Sequence, residues 1–353
     1  MSPRLRMTRN AWSHFKLKLS IILMRMGVGR EEYRRVLRFY SALEPGDQKL
    51  FSRNIARSLK QIALADAFEG NGSITPLRKC LTRASDRVFI LGSGPSINEL
   101  SQDDFDHMSK NDSWGFNFWF VHDFVPSVYF AQIGKKRNRN VKIMDAWDTC
   151  FQKVASRYGN TKFILKGADL FHGFDVTDSQ AFRQLVDAGV SDISVLPTLL
   201  VPKDVNQSAS GLFEDLRQCE LMAHASGTCL PVPQIRSTVG LLIALAIQMG
   251  YREIVLCGID GKDRSHFFDQ EKYMKAFPEL IAVPESYKVV EHPHSIQEKT
   301  GLSPLDYLVS MAEFCEKSFD VEIKIASRDS YLSDKLPLYR FENEYEQASD
   351  FVA

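Results

Sequence analysis

Apolar residues recur at spacings of three and four through the first part of the chain. Trp12, Phe15, Leu17, Leu19, Ile22 and Leu23 form one such series, and residues 33–63 form a second. This is the period of a helix with one buried face. Gly27-Val28-Gly29 separates the two series. Residues 70–84 read as a linker, with Gly70, Asn71, Gly72, Ser73 and Pro76 as turn formers. Beyond it the pattern changes to short continuous apolar runs. Residues 87–91 (RVFIL), 114–118, 127–131 (SVYFA), 162–165, 252–257 (REIVLC) and 321–325 predict strands. Helical stretches at 103–108, 239–249 and 304–318 lie among them. Ser237-Thr238 can cap the second of these and Gly250 can end it. Residues 166–233 carry several prolines and no sustained period. Strands alternating with helices predict an α/β fold around a mostly parallel sheet.

Composition narrows the class. The 353 residues are 44% hydrophobic and 25% charged, ordinary for a globular chain with a sizeable core. Formal net charge is zero, so no global field favours nucleic acid. Residues 1–60, however, hold 14 Lys and Arg against four acids, Glu31, Glu32, Glu44 and Asp47. A basic helical arm of this kind suits an anionic membrane surface, a partner, or simply a cap on the domain. The apolar run at 19–24, flanked by Lys16, Lys18 and Arg25, is far short of a span, which needs about 20 residues. The six cysteines are scattered without CxxC spacing, the pattern of a reducing compartment. The expectation is a cytoplasmic protein, with the basic arm available for the inner face of a membrane.

Five places carry candidate chemistry. The strand at 87–91 opens into Gly92-Ser93-Gly94-Pro95-Ser96. A glycine turn there lets backbone N–H groups approach a phosphate or ribose, and is equally what a tight strand-to-helix connection requires. On the ligand reading, Gly94→Val would abolish binding and leave the fold intact. Asn117, at the end of the next strand, offers a donor and an acceptor to a base or sugar, or serves as a turn residue. Arg236 before the 239–249 helix makes an anion site with the helix N-terminus, unless it is a surface arginine beside a capped core helix. Gly258-Ile259-Asp260 follows a strand, where open α/β sheets bind ligands; Asp260 could hold ribose, organise the loop or bind metal. His292 and His294, with His266 upstream, are candidate general bases, because neutral imidazole can take a hydroxyl proton near pH 7. Exposed loop histidines are the plainer reading of that pair.

These motifs in this order resemble the bacterial sialyltransferases of glycosyltransferase family 42. The matching segments are GSGPS at 92–96, Asn117-Phe118-Trp119-Phe120, Arg236, the run STVGLLIALAIQMGYREIVLCGID at 237–260, and a lid histidine, His294, before the late helix and strand. The resemblance covers roughly 86–330. It implies a Rossmann-like sheet of the GT-A-like variant, with a lid around 261–303 in a domain spanning 81–353; the basic helical extension over 1–80 lies outside the resemblance. It implies a CMP-activated nonulosonic donor, a glycan or lipid-linked acceptor, inversion at the anomeric carbon, and neither cofactor nor metal. It places Gly92, Ser93, Gly94, Pro95, Ser96 and Asn117 around the cytidine and donor and Arg236 and Thr238 near the phosphate or acceptor, and Gln132 is a further expected substrate-binding residue. Gly258, Asp260 and Lys262 complete the expected binding set. The chain departs from the family at Ser93 and Val239. It departs again after the GID turn, where GKDRSHFFD puts Lys262, Arg264 and His266 in place of two tyrosines. The DUF115 group, with flagellin nonulosonate transferases and pterin diphosphokinases, shares the GSGPS turn. It supplies the alternative of a nucleotide-dependent pyrophosphokinase. A nucleotide-binding regulatory module is the non-enzymatic alternative.

Overall fold

The structure is a computed structural model. It describes residues 30–70, 72, 74–132, 141–166, 180–202, 208–223, 231–235, 237–262, 265–282 and 303–341. Among them seven strands form one sheet, parallel at every pairing: β1 (Arg87–Leu91), β2 (Asp112–Phe116), β3 (Val128–Gln132), β4 (Lys162–Lys166), β5 (Ile193–Leu196), β8 (Glu253–Cys257) and β9 (Glu322–Ile325). Two further short strands, β6 (Thr198–Leu200) and β7 (Val232–Gln234), pair separately. The sheet order is β5-β4-β3-β2-β1-β8-β9. The chain therefore builds outward from β1 through β5, then returns to add β8 on the opposite side of β1. That reversal makes the carboxyl ends of β1 and β8 the switch point where doubly wound sheets place ligands. The fold is the expected α/β, Rossmann-like one.

The strands are apolar because both faces are covered. Val88, Ile90, Trp114, Phe116, Ile164 and Leu256 lie in the core on one face. Phe89, Leu91, Tyr129, Phe163, Leu165 and Val255 lie in the core on the other. The first core contains α8 (Thr238–Gln248), whose residues 239–248 are all buried. This explains its all-round hydrophobicity, which a surface helix would not tolerate. Ser237 caps it, accepting from the Gly240 N–H at 3.0 Å. The late helix, α10 (Pro304–Phe319), packs into the same core and opens with a capping box between Ser303 and Asp306.

Upstream of β1, helices α1 (Arg30–Ala42) and α2 (Pro45–Gly70) sit on that same core through Val36, Phe39, Phe51, Ile55 and Leu59. Helix α2 also meets the edge of β6. Asn54 Nδ2 donates to the Leu200 carbonyl at 3.0 Å, Ser58 Oγ donates to the Thr198 carbonyl at 2.7 Å, and Gln61 Oε1 accepts from the Thr198 N–H at 2.8 Å. These side chains satisfy polar groups that a short strand would otherwise leave open. Among the described residues of the expected linker, 70–84, lies one short helix, α3 (Leu77–Cys80).

The unassigned stretch of sequence holds α6 (Gln180–Asp187), β5, β6, α7 (Ala209–Gln218) and β7. Helices α4 (Gln102–Ser109) and α5 (Val141–Val154) lie earlier, and α9 (Glu271–Ala276) lies in the lid region. Among the described residues no helix is long and apolar enough to cross a membrane.

Candidate functional site

The turn after β1 and the loop after β8 are tied together by backbone hydrogen bonds. The Gly92 N–H donates to the Cys257 carbonyl at 2.8 Å, and the Gly94 N–H to the Gly258 carbonyl at 2.8 Å. Gly258 has φ +63, and a Cβ on it would lie 2.6 Å from Ile97 Cγ1, so both its conformation and its space require glycine. Gly94 is different. Its backbone is ordinary and extended, at φ −69 and ψ 157. Space decides there: an added Cβ would stand 2.7 Å from Asp260 Cγ and 2.8 Å from the Gly258 carbonyl oxygen. These glycines serve the approach of one loop to the other.

Asp260 completes this junction. It is 8% exposed, and it accepts from the Ser96 N–H at 2.9 Å and from Ser96 Oγ at 2.5 Å. Ser96 lies in the 3-10 turn Pro95–Glu99, so the carboxylate faces that turn's N-terminal end, where negative charge is favoured. Of the three roles the sequence leaves open for Asp260, organising the loop is the one this geometry supports. The expected behaviour of Gly94→Val changes accordingly. Valine would be forced against Asp260 and Gly258, so we expect a stability loss of roughly 1–3 kcal/mol or more from overpacking. A fold left intact in urea denaturation of Gly94→Val would refute this packing account.

Asn117 follows β2 with φ 57, in the left-handed region that asparagine tolerates best among residues with a Cβ. This is why β2 ends at Phe116, two residues before the expected limit. The Asn117 carbonyl is held from two sides, by the Tyr129 hydroxyl and by Trp147 Nε1, the latter at 3.2 Å. Its side chain is exposed at the strand-end rim and accepts no hydrogen bond among the described residues. Phe118 packs against Phe268 with ring centroids 5.7 Å apart, and Phe268 stacks on His266 at 4.7 Å. The Phe267 N–H donates to the Ser93 carbonyl at 3.0 Å. His266 is thereby brought next to both the glycine turn and the Asn117 turn, as a half-buried ring at the base of the lid region.

The remaining expected residues are dispersed. Lys262 is exposed, and its Nζ lies 3.8 Å from Asp329 Oδ1. Burial raises the neighbouring Glu99 carboxyl above its usual range, as do Asp329 and Asp260, with Lys262 acting in the opposite sense. Gln132 ends β3, in register with Lys166 on β4. Thr238 opens α8 and accepts a hydrogen bond from Lys166 Nζ at 2.7 Å. Lys166 was not singled out by the sequence. The only signal for it is a lysine closing the apolar run KFILK. Arg236, Arg264, His292 and His294 lie outside the described residues.

An Asp-x-Asp spacing, common in metal-dependent sugar transfer, occurs at Asp104-Phe105-Asp106. It falls within α4. Asp104 closes a capping box with Ser101, and Asp106 accepts from Gln102 at 2.8 Å. Among the described residues no group of three acidic, histidine or cysteine side chains is placed to hold a metal ion.

No family model matches the chain, and no curated protein matches it. Solved structures of a sialyltransferase do. One is the sialyltransferase CST-II in complex with a trisaccharide acceptor and CMP, 16% identical, with 72% of this chain and 86% of that chain covered and a TM-score of 0.36. Another is CstII from Campylobacter jejuni with cytidine-5'-monophosphate, 16% identical, covering 74% and 87%, TM-score 0.36. A third is the same Campylobacter jejuni enzyme with CMP-3FNeuAc, 17% identical, covering 72% and 86%, TM-score 0.37.

Proposed function

We propose that this chain is an inverting, metal-independent glycosyltransferase. It moves a sialic-acid-like or Kdo-like sugar from a CMP donor to a cell-surface glycan or lipid-linked acceptor. The observation that carries this reading is the shared rim at the carboxyl ends of the parallel strands. There the GSGPS turn of β1, the exposed Asn117 side chain after β2, and the N-terminus of α8 are all presented, beside a switch point. The order of these motifs along the chain matches the resemblance described above. The turn after β1 does not offer its glycine N–H groups to a ligand, because those of Gly92 and Gly94 both donate to the loop after β8. The nucleotide therefore belongs over β1–β3, against the outer surface of the turn and Asn117.

In such a transfer the sugar carries positive charge in the transition state and the leaving phosphate carries negative charge. The positive end of α8, with Arg236, suits the phosphate. The acceptor hydroxyl must lose its proton as it attacks, and His294 is the proposed base, with His292 as the rival two residues away. The basic residues of the first sixty positions are proposed to dock the enzyme on an anionic membrane surface, where lipid-linked acceptors reside.

The test is kinetic. His294→Ala should lower kcat by roughly 10²–10⁴-fold with CMP affinity almost unchanged. The wild-type rate should rise with pH through the imidazole range, near pH 6.5. Full activity in both His294→Ala and His292→Ala would remove the base from this segment. A CMP-sugar transfer that survives EDTA supports the reading; an EDTA-sensitive, ATP-dependent pyrophosphoryl transfer would replace it with the kinase alternative.

A further inference from the structure

Lys166 is the last residue of β4 and is 4% exposed. Its ammonium donates one hydrogen bond, to Thr238 Oγ1 at 2.7 Å, and has no carboxylate within ion-pair distance among the described residues. A lysine carries three donors, so two find no acceptor among the described residues. Buried cations are normally paired, because an isolated one has lost its hydration without compensation. The surroundings here add to the cost. Thr238 is the first residue of α8, whose N-terminus carries the positive end of the helix dipole. Two positive features thus face one another at a buried spot on the strand-end rim. Burial pulls the amine down to about 8, which still leaves it mostly protonated at neutral pH.

The fold does not need a charge there. A leucine or methionine would fill the end of β4 among the apolar residues of α8's core without that penalty. What the arrangement lacks among the described residues is an anion, and the remaining ammonium donors and the first turn of the helix are the groups that would take one.

We propose that Lys166, Thr238 and the first turn of α8 form an oxyanion subsite, which holds the phosphate or carboxylate of a ligand lying across the strand ends. The subsite stands three strand spacings from the GSGPS turn, roughly 14 Å at the usual interstrand distance. A nucleotide seated at β1–β2 would reach it with its anionic end. The inference shares a rim with the proposed transferase site but does not require CMP; any ligand with an exposed oxyanion satisfies it.

The experiment uses the full-length protein, with calorimetric titration of inorganic phosphate, acetate, cytidine, CMP and N-acetylneuraminate at pH 7 into wild type, Lys166→Met and Thr238→Val. Lys166→Met should weaken at least one anionic probe tenfold or more and leave cytidine unchanged. Loss confined to phosphate and CMP assigns the subsite to a phosphate; loss confined to acetate and N-acetylneuraminate assigns it to a carboxylate. Thr238→Val, which frees the ammonium from its partner, should weaken the same probe to a smaller degree. Thermal unfolding of Lys166→Met should be no lower than that of wild type, since the variant removes a buried charge. If Lys166→Met does not fold, Lys166→Gln carries the comparison. Anion affinities equal within twofold in wild type and the lysine variant would overturn the proposal, as would a wild type that binds none of the anions. A wild type that binds phosphate through Lys166 but not CMP would leave this subsite standing and remove only the nucleotide reading.

Discussion

Asp260→Ala is expected to destabilise the protein by roughly 2–5 kcal/mol, because it strands two buried donors at once. The Ser96 N–H and hydroxyl both point at this carboxylate, and both are buried with it. Removing the carboxylate also takes away the side chain that stands beside the Gly94 backbone, which adds a packing loss. Asp260→Asn should cost less, since its amide oxygen can still accept one of the two bonds. The urea denaturation midpoints of the two variants measure this ordering. A normal midpoint in Asp260→Ala together with lost nucleotide affinity would assign the carboxylate to a ligand instead.

The second large effect is alkaline. Cys80, Cys150, Cys219, Cys257 and Cys315 are all free and buried. Burial pushes the Cys80 and Cys150 thiols up to about 12 and that of Cys219 to about 11, and raises Cys257 and Cys315 further. In the unfolded chain each thiol ionises near pH 8.5. Above that pH the unfolded state sheds protons that the native state keeps, so stability falls as pH rises. The loss is roughly 2 kcal/mol per thiol at pH 10. Five such thiols rival the whole stability of a typical domain, about 5–15 kcal/mol.

Lys166 acts with the opposite sign. Its native value near 8 lies below the unfolded one near 10.4, so it favours the native state as pH climbs through that window. One amine against five thiols leaves the net slope steeply negative. Denaturant midpoints in reducing buffer should therefore collapse between pH 8.5 and 10. A midpoint that stays level to pH 10 would contradict this account of the thiols.

Much of the central architecture was legible in the residue pattern. The apolar runs at 87–91, 162–165 and 252–257 are strands buried on both faces, and burial on both faces is what makes a run continuous rather than alternating. The stretch 239–249 is likewise a helix with a serine cap, displaced by one residue. The region 166–233 was opaque because its strands are three or four residues long. Such strands are held by neighbours such as the α2 side chains on β6, which no local period reveals. The end of β2 was misplaced for a related reason: the left-handed turn at Asn117 is fixed by Tyr129 and Trp147, residues 12 and 30 positions away.

The candidate site divides along the same line. By itself the sequence determined which elements bear chemistry, because a glycine turn after an apolar strand and a capped helix are local events written in consecutive residues. Tertiary structure alone decided what those residues face. It set the glycines of GSGPS against the Gly258 loop, aimed Asp260 at Ser96, and buried Lys166 against the start of α8. Each of these pairs joins positions more than 70 apart in the chain. Their partners are chosen by the order in which the strands assemble, with β8 returning to the side of β1, and that order is a property of the packed sheet rather than of any single segment.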